Sequence, residues 1–266
     1  MAGLNGRVIG ATAVVAVVCV LAVVVANAPA NWFAGYLEAR TRGVVLLADA
    51  RGTVWSGSAV MALAAPSATE GSAPVAGLAL PGRVIWTLEI DRTLAPVLHL
   101  THDGVLLQPL TARVREGGLV LEAGTVELPA SMLRLVGAPL NTLLPEGRCS
   151  LQWNGLRFEG SGPPTGEGTL RIASFALAIS PVRPLGDYLV SWSSGAAGVT
   201  WQLATERGPL QLQGGGNLVG SRAQARVVVT IAPDVAAPTV AQLNPLLDML
   251  GRRGPGEAVI ETGGRS

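Results

Sequence analysis

The octapeptide Val84-Ile85-Trp86-Thr87-Leu88-Glu89-Ile90-Asp91 decides the fold class. Val84, Trp86, Leu88 and Ile90 share one phase of a two-residue period, and Thr87, Glu89 and Asp91 the other, with Ile85 the exception. A strand points successive side chains to opposite faces, so this spacing predicts a β-strand with one apolar and one wet face. The same alternation sets Leu119/Leu121 against Val120/Glu122, and Val227, Val229 and Ile231 line one face of a further run. One-sided strands of this kind belong to antiparallel sheets. The 34 glycines and 18 prolines supply the many turns that short strands need.

Two stretches break the rhythm in a helical manner. Asn244-Pro245-Leu246-Leu247-Asp248-Met249-Leu250-Gly251 offers a cap residue, a proline at the first helical position and a terminal glycine, followed by Arg252 and Arg253. Val240, Leu243, Leu246, Leu247 and Leu250 share one face if the helix starts earlier and tolerates Pro245. Pro129-Ala130-Ser131-Met132-Leu133-Arg134-Leu135-Val136-Gly137 is the second short candidate. Residues 64–82, rich in Ala, Pro, Ser and Gly, read as a loop or flexible insertion.

The chain also echoes itself. Gly52-Thr53-Val54-Trp55-Ser56-Gly57 and Gly155-Leu156-Arg157-Phe158-Glu159-Gly160 share a glycine–aromatic–glycine frame, and Val84–Leu88 matches Val199–Leu203. Gly104-Val105-Leu106 corresponds to Gly208-Pro209-Leu210, and Thr125–Pro129 to Val229–Pro233, each followed by a helical stretch, a glycine and a strand. The constant order predicts two similar modules, residues 44–154 and 155–266, that share one sheet because an isolated open sheet leaves unpaired edges. Trp55 and Phe158 are then expected as equivalent core aromatics. The expected fold is all-β, an antiparallel sheet of two modules with a few short helices, plus one N-terminal transmembrane helix.

That helix is read from Val8 to Ala26, a run without a charge. At about 1.5 Å per residue it is long enough for a hydrocarbon core of about 30 Å. Ala26-Asn27-Ala28 has the form of a signal-peptidase site, but the apolar run exceeds a signal peptide's roughly 7–15 residues and Pro29 follows the site directly. A retained anchor is therefore expected: residues 1–7 a cytoplasmic tail, 8–27 the transmembrane helix, 28–43 a juxtamembrane segment, and the remainder periplasmic. Trp32, Phe33 and Tyr36 fall where an interfacial aromatic belt would lie. The net charge is +1, every basic residue is arginine, and the charges are interspersed, so no nucleic-acid footprint is present. Cys19 lies in the apolar run, which disfavours a disulfide with Cys149.

No constellation of residues points to catalysis. His99 and His102 are three apart on an expected strand, so they face opposite ways and do not converge on a metal; they read as surface or turn histidines. Glu89 and Asp91 sit on a wet face. Gly214-Gly215-Gly216-Asn217-Leu218-Val219-Gly220 joins two strands and opens no helix, which fits a hairpin or bulge better than a phosphate cradle. No nucleophile elbow, zinc-protease motif, paired-cysteine motif or P-loop occurs. The chain is expected to be no enzyme, with no catalytic, cofactor-binding or metal residues. Trp55, Trp86, Trp153 and Trp201 are expected to pack in the core or between sheets.

Taken in order, several segments resemble the type II secretion system protein N family, of the bacterial general secretion pathway. They are Gly52–Gly57, Pro129–Leu133, Leu144-Pro145-Glu146-Gly147, Leu151-Gln152-Trp153, Pro184–Tyr188, Gly208–Gly214 and Leu246–Arg253. The resemblance covers nearly the full length and departs at the alanine-rich 64–82 insertion. It implies an accessory inner-membrane protein with one span and a periplasmic domain, working with other secretion-system proteins to export folded proteins across the outer membrane. It carries over no catalytic residues. Docking by strand addition at an open edge is the expected mode. The alternative reading is a lipid-binding β-groove protein anchored in the inner membrane.

Overall fold

The computed structural model describes residues 23–41, 43–64, 78–115, 118–136, 140–159, 164–220, 222–254 and 257–263. Residues 8–22 of the expected membrane span, Cys19 and most of the alanine-rich insertion lie outside them. Among the described residues no helix is long and apolar enough to cross a membrane. The described chain is mostly antiparallel strand, as the two-residue period requires, and divides into two compact units, one ending at Glu89 and the other starting at Ile90.

The first unit contains α1 (Ala30–Arg40), β1 (Val45–Gly52), β2 (Ser56–Leu63), β3 (Leu78–Ala79) and β4 (Val84–Ile90). β2 lies between β1 and β4, with β3 also paired to it. β4 buries Val84 and Trp86 and exposes Ile85 and Thr87, so the alternation of the octapeptide is realised at its start. α1 turns Phe33 onto Trp86, with ring centroids 5.1 Å apart, and leaves Trp32 and Tyr36, an i, i+4 pair, exposed. Of the three residues expected as an interfacial belt, Phe33 instead packs on the sheet.

The second unit opens with β5 (Pro96–His102), β6 (Leu110–Arg115), β7 (Gly118–Leu121) and β8 (Gly124–Pro129). A 3₁₀ helix (Ala130–Val136) and the single turn α2 (Leu140–Leu143) lead into β9 (Pro145–Glu159). A meander follows: β10 (Thr165–Leu177), β11 (Gly186–Gly195), β12 (Gly198–Arg207), β13 (Leu210–Val219) and β14 (Arg222–Ile231). α3 (Ala237–Met249), β15 (Arg252–Gly254) and β16 (Glu257–Gly263) complete it. Neighbours in this sheet run β5-β6-β7-β9-β10-β11-β12-β13-β14-β16-β15, and β8 pairs with the first half of β9. The two helical stretches of the sequence are both present. α3 begins at Ala237 and carries Pro245 inside it, which lets Leu243, Leu246 and Leu247 be buried on one face. The stretch from Ala130 winds as 3₁₀ rather than α.

The core of this unit gathers at one end of the strands, where α3 presses Leu243, Leu246 and Leu247 toward Leu185, Tyr188, Leu210 and Val229. Tyr188 is buried edge-on to Phe175 at 5.6 Å and donates its hydroxyl to the Leu210 carbonyl at 3.0 Å. Burial holds the Tyr188 phenol well above its usual range and pushes the Cys149 thiol up to about 11, so neither ionises near neutrality.

One pairing recurs in both units. Trp86 sits directly across from Gly57, Trp153 from Gly124, Trp192 from Gly168, and Trp201 from Gly216. A Cβ on Gly124 would come within 2.8 Å of the Trp153 ring, and one on Gly216 within 2.8 Å of Trp201 Nε1. The indole therefore lies over the space a side chain would fill, covering a residue that otherwise weakens a strand. Gly214, Gly215 and Gly216 accordingly lie within β13, and of the glycine-rich run only Gly220 serves the turn.

We expect Gly124→Ala to destabilise the protein by about 1–3 kcal/mol through overpacking against Trp153. Gly195→Ala, where an added Cβ meets nothing within 4 Å, should change stability by no more than about 0.5 kcal/mol. Urea unfolding followed by circular dichroism checks both.

Candidate functional site

The segment Gly52–Gly57 closes the β1–β2 hairpin. Gly52 has φ +90° and a Cβ there would lie 2.5 Å from the Ser56 carbonyl, so the position needs glycine. Thr53 N–H donates to the Ser56 carbonyl at 2.8 Å, and Ser56 N–H donates back to Thr53 Oγ1 at 3.1 Å. Turned outward by this loop, Val54 N–H donates to the Ala28 carbonyl at 2.9 Å and Trp55 Nε1 to the Val25 carbonyl at 2.7 Å. Thr53 also forms a β-bridge with Pro29. From the other side, Trp86 Nε1 donates to the Val54 carbonyl at 3.1 Å and Leu88 N–H to the Trp55 carbonyl at 2.7 Å. The loop thus clamps residues 25–29 against the first unit.

This corrects the expectation that Trp55 and Phe158 are equivalent core aromatics. Trp55 is half-buried and used as a hydrogen-bond donor, whereas Phe158 is 36% exposed and paired across from Leu119. Trp86 and Trp153 are buried as expected, and Trp201 is half-buried. The clamp could not be found from sequence, because its acceptors are the carbonyls of Val25 and Ala28, which any residue type would supply.

The remaining candidates stay apart. No cluster of three or more metal-ligating side chains occurs among the described residues. His102 is buried, not superficial: a ring nitrogen, Nδ1, lies 2.9 Å from the Asp103 carbonyl, and Nε2 has no partner. His99 lies 3.3 Å from the Thr111 hydroxyl. Glu89 is exposed, and Asp91 caps a turn, accepting from the N–H groups of Thr93 at 2.7 Å and Ala95 at 3.0 Å. Those hydrogen bonds, with that of the Thr93 hydroxyl, hold its carboxyl below the usual range.

One face of the sheet in the second unit is chemically unusual. The transverse row Trp153–Gly168–Trp192–Trp201–Gly216–Ala225 runs in register over six strands. The rows to either side are Leu156–Gly166–Ser194–Val199–Leu218–Ala223 and Leu151–Leu170–Val190–Leu203–Gly214–Val227. None of these positions carries a charge. The alternate positions bear Glu167, Ser191, Ser193, Thr200 and Gln202, which line a shallow depression of about 520 Å³. The core and α3 cover the strand ends beyond the third row, while Trp192, Val199 and Trp201 are half-buried and Leu218 is 40% exposed.

One acidic group organises the covered end. Where the β10–β11 register slips between Ile172 and Phe175, Ser174 adopts φ +52° and its N–H donates to Asp187 Oδ1 at 2.7 Å. Arg207 Nε donates to the other carboxylate oxygen. The Ser174 N–H, then Arg207, hold the Asp187 carboxyl below the usual carboxylate range. A depressed folded value contributes stability that is complete above the unfolded pKa of about 3.9 and is lost as pH falls through the folded one.

Two outcomes follow from these contacts. Trp55→Phe should cost about 1 kcal/mol and open residues 25–29 to limited proteolysis. Asp187→Ala should cost about 1–3 kcal/mol at neutral pH, since it leaves the Ser174 N–H unpaired. Its thermal midpoint should also fall less steeply than the parent's below about pH 4.

Neither the curated proteins nor the solved structures compared with this chain give a match. The family model described as type II secretion system (T2SS), protein N, matches residues 44–260, from the start of β1 into β16. That span takes in the clamp loop, both helical crossings and every tryptophan–glycine pair, so the chain belongs to the type II secretion system protein N family and is a component of that protein-secretion machinery.

Proposed function

We propose that the protein is a non-enzymatic, single-pass inner-membrane component of the type II machinery whose periplasmic β units dock on other secretion proteins. The observation that carries this reading is the clamp. It ties the β unit to the chain at Val25 and Ala28, where the apolar run from Val8 gives way to Asn27 and Pro29. A domain held this close to the end of an apolar helix sits at the membrane surface. The exposed Trp32 and Tyr36 are an i, i+4 pair on α1, as interfacial anchors would be. On this reading the amino terminus is cytoplasmic and both units are periplasmic.

β1 offers the docking edge. Its strand pairing among the described residues is to β2 alone. Past Ala48 the strand is bulged, with Asp49 at φ +49° and its carboxylate 2.7 Å from Arg83 Nη1. Bulges and charges blunt an edge, and the Thr41 hydroxyl accepts from the Val45 N–H and donates to the Val45 carbonyl, so Leu46–Ala48 is the stretch left to accept a partner strand. The two-module reading is kept in the same terms. β8 and β9 pair antiparallel across a helical connection, and so do β14 and β16, although the boundary after residue 154 falls inside β9.

Deletion in a secreting strain should block release of type II cargo, and complementation should restore it. A photocrosslinking amino acid replacing Leu46 should trap another secretion-system protein, and one replacing the exposed Ile85 should not. Normal secretion by the deletion strain overturns the proposal, and loss of secretion without an adduct at Leu46 overturns the edge as the docking site.

A further inference from the structure

Among the described residues, the uncharged face of the second unit keeps Leu218 exposed and Trp192, Val199 and Trp201 half-buried. Antiparallel sheets that face water on one side pack their apolar face against something. Among the described residues, α3 and the 3₁₀ segment supply that packing at one end, over Cys149, Ile172, Tyr188 and Val229, and Trp153 is buried on the β9 side. Toward the hairpin tips the face continues through Trp192, Trp201 and Val199 to Leu218 with no residue of the core cluster on it.

We propose that this stretch of β11–β14 is a binding floor for the acyl chains of a phospholipid. Three features select an acyl chain over a protein segment. The N–H and C=O groups of β10–β13 are engaged in ladders on both sides, so a docking peptide finds no main-chain partners there. No charge interrupts the rows, and the one hydroxyl near their middle, Ser194 Oγ, is shielded and makes no hydrogen bond. A protein interface carries about one hydrogen bond per 100–200 Å² and a polar rim; a hydrocarbon needs neither. Third, Trp192 and Trp201 lie over Gly168 and Gly216 instead of standing up from the sheet, so the floor is smooth where a helix would need pockets for its anchors. From β11 to β14, three strand spacings of about 4.8 Å give it a length of about 14 Å, close to the roughly 15 Å of one leaflet of a bilayer core.

This inference goes beyond the secretion reading and is tested without it. The full chain is reconstituted in phosphatidylethanolamine–phosphatidylglycerol vesicles doped with a phosphatidylcholine carrying a photoreactive diazirine on one acyl chain. Crosslinks are then mapped by peptide mass spectrometry. Labelling is expected on β11, β12 and β13. Val199→Glu and Leu218→Glu should each lower it about tenfold or more, the scale of placing a charge against hydrocarbon. Thr200→Glu, on the alternate face, should change it less than twofold. Circular dichroism identifies any variant that fails to fold; Leu218 is exposed enough that its variant carries the test if Val199→Glu does not. Unlabelled β11–β13, labelling equal on both faces, or labelling indifferent to the folded Leu218→Glu variant overturns the proposal. So does a polypeptide bound on this face in place of lipid.

Discussion

An indole ring laid over a glycine on the neighbouring strand is the contact on which the sheet depends. Each side requires the other. The glycine leaves a strand without packing surface, and the tryptophan needs a flat place to lie that a Cβ would occupy. Because the partners sit directly across from one another, the contact also fixes register: a slip by one residue would send the ring to the opposite face. Four such pairs mark β2–β4, β8–β9, β10–β11 and β12–β13. In a chain with so many glycines, they turn residues that weaken strands into residues that specify them.

The strands were legible because their signal is local. Val84, Trp86 and Thr87 take the faces their spacing demands, and α3 needed only an early start and a tolerated Pro245. The failures came where a residue's role is set by something distant in sequence. Trp55 looks like Trp86 on paper, yet one bonds a carbonyl thirty residues upstream and the other is sealed under Phe33. Phe158 shares Trp55's frame of glycines and has Leu119 and open surface beside it. His102 ends a strand at a turn, where exposure is the ordinary outcome, and is buried. Sequence spacing gives the face of a strand; it does not say whether that face is covered.

Coverage divides the second unit. At one end the bulge at Ser174, held by Asp187 and Arg207, lets β10 bend where the helices pack, and Leu185, Tyr188, Leu243 and Leu247 are buried together there. At the other end the same strands continue with the same apolar alternation, outside the cluster that the helices pack on. A sheet built for stability alone would spend its apolar residues where the cover is. Here they extend past it, along rows whose every member is uncharged, which is why the face reads as a surface with an external partner.

The clamp loop carries a mechanical consequence. A chain leaving a folded unit through one covalent link can swivel about it. Here Val25 and Ala28 are each tied to the hairpin, at points three residues apart. Two tethers restrict the swivel, so the heading of the helical turn at residues 23–27 is inherited by the first β unit. A rotation of one becomes a rotation of the other, with Trp55 as the coupling pin.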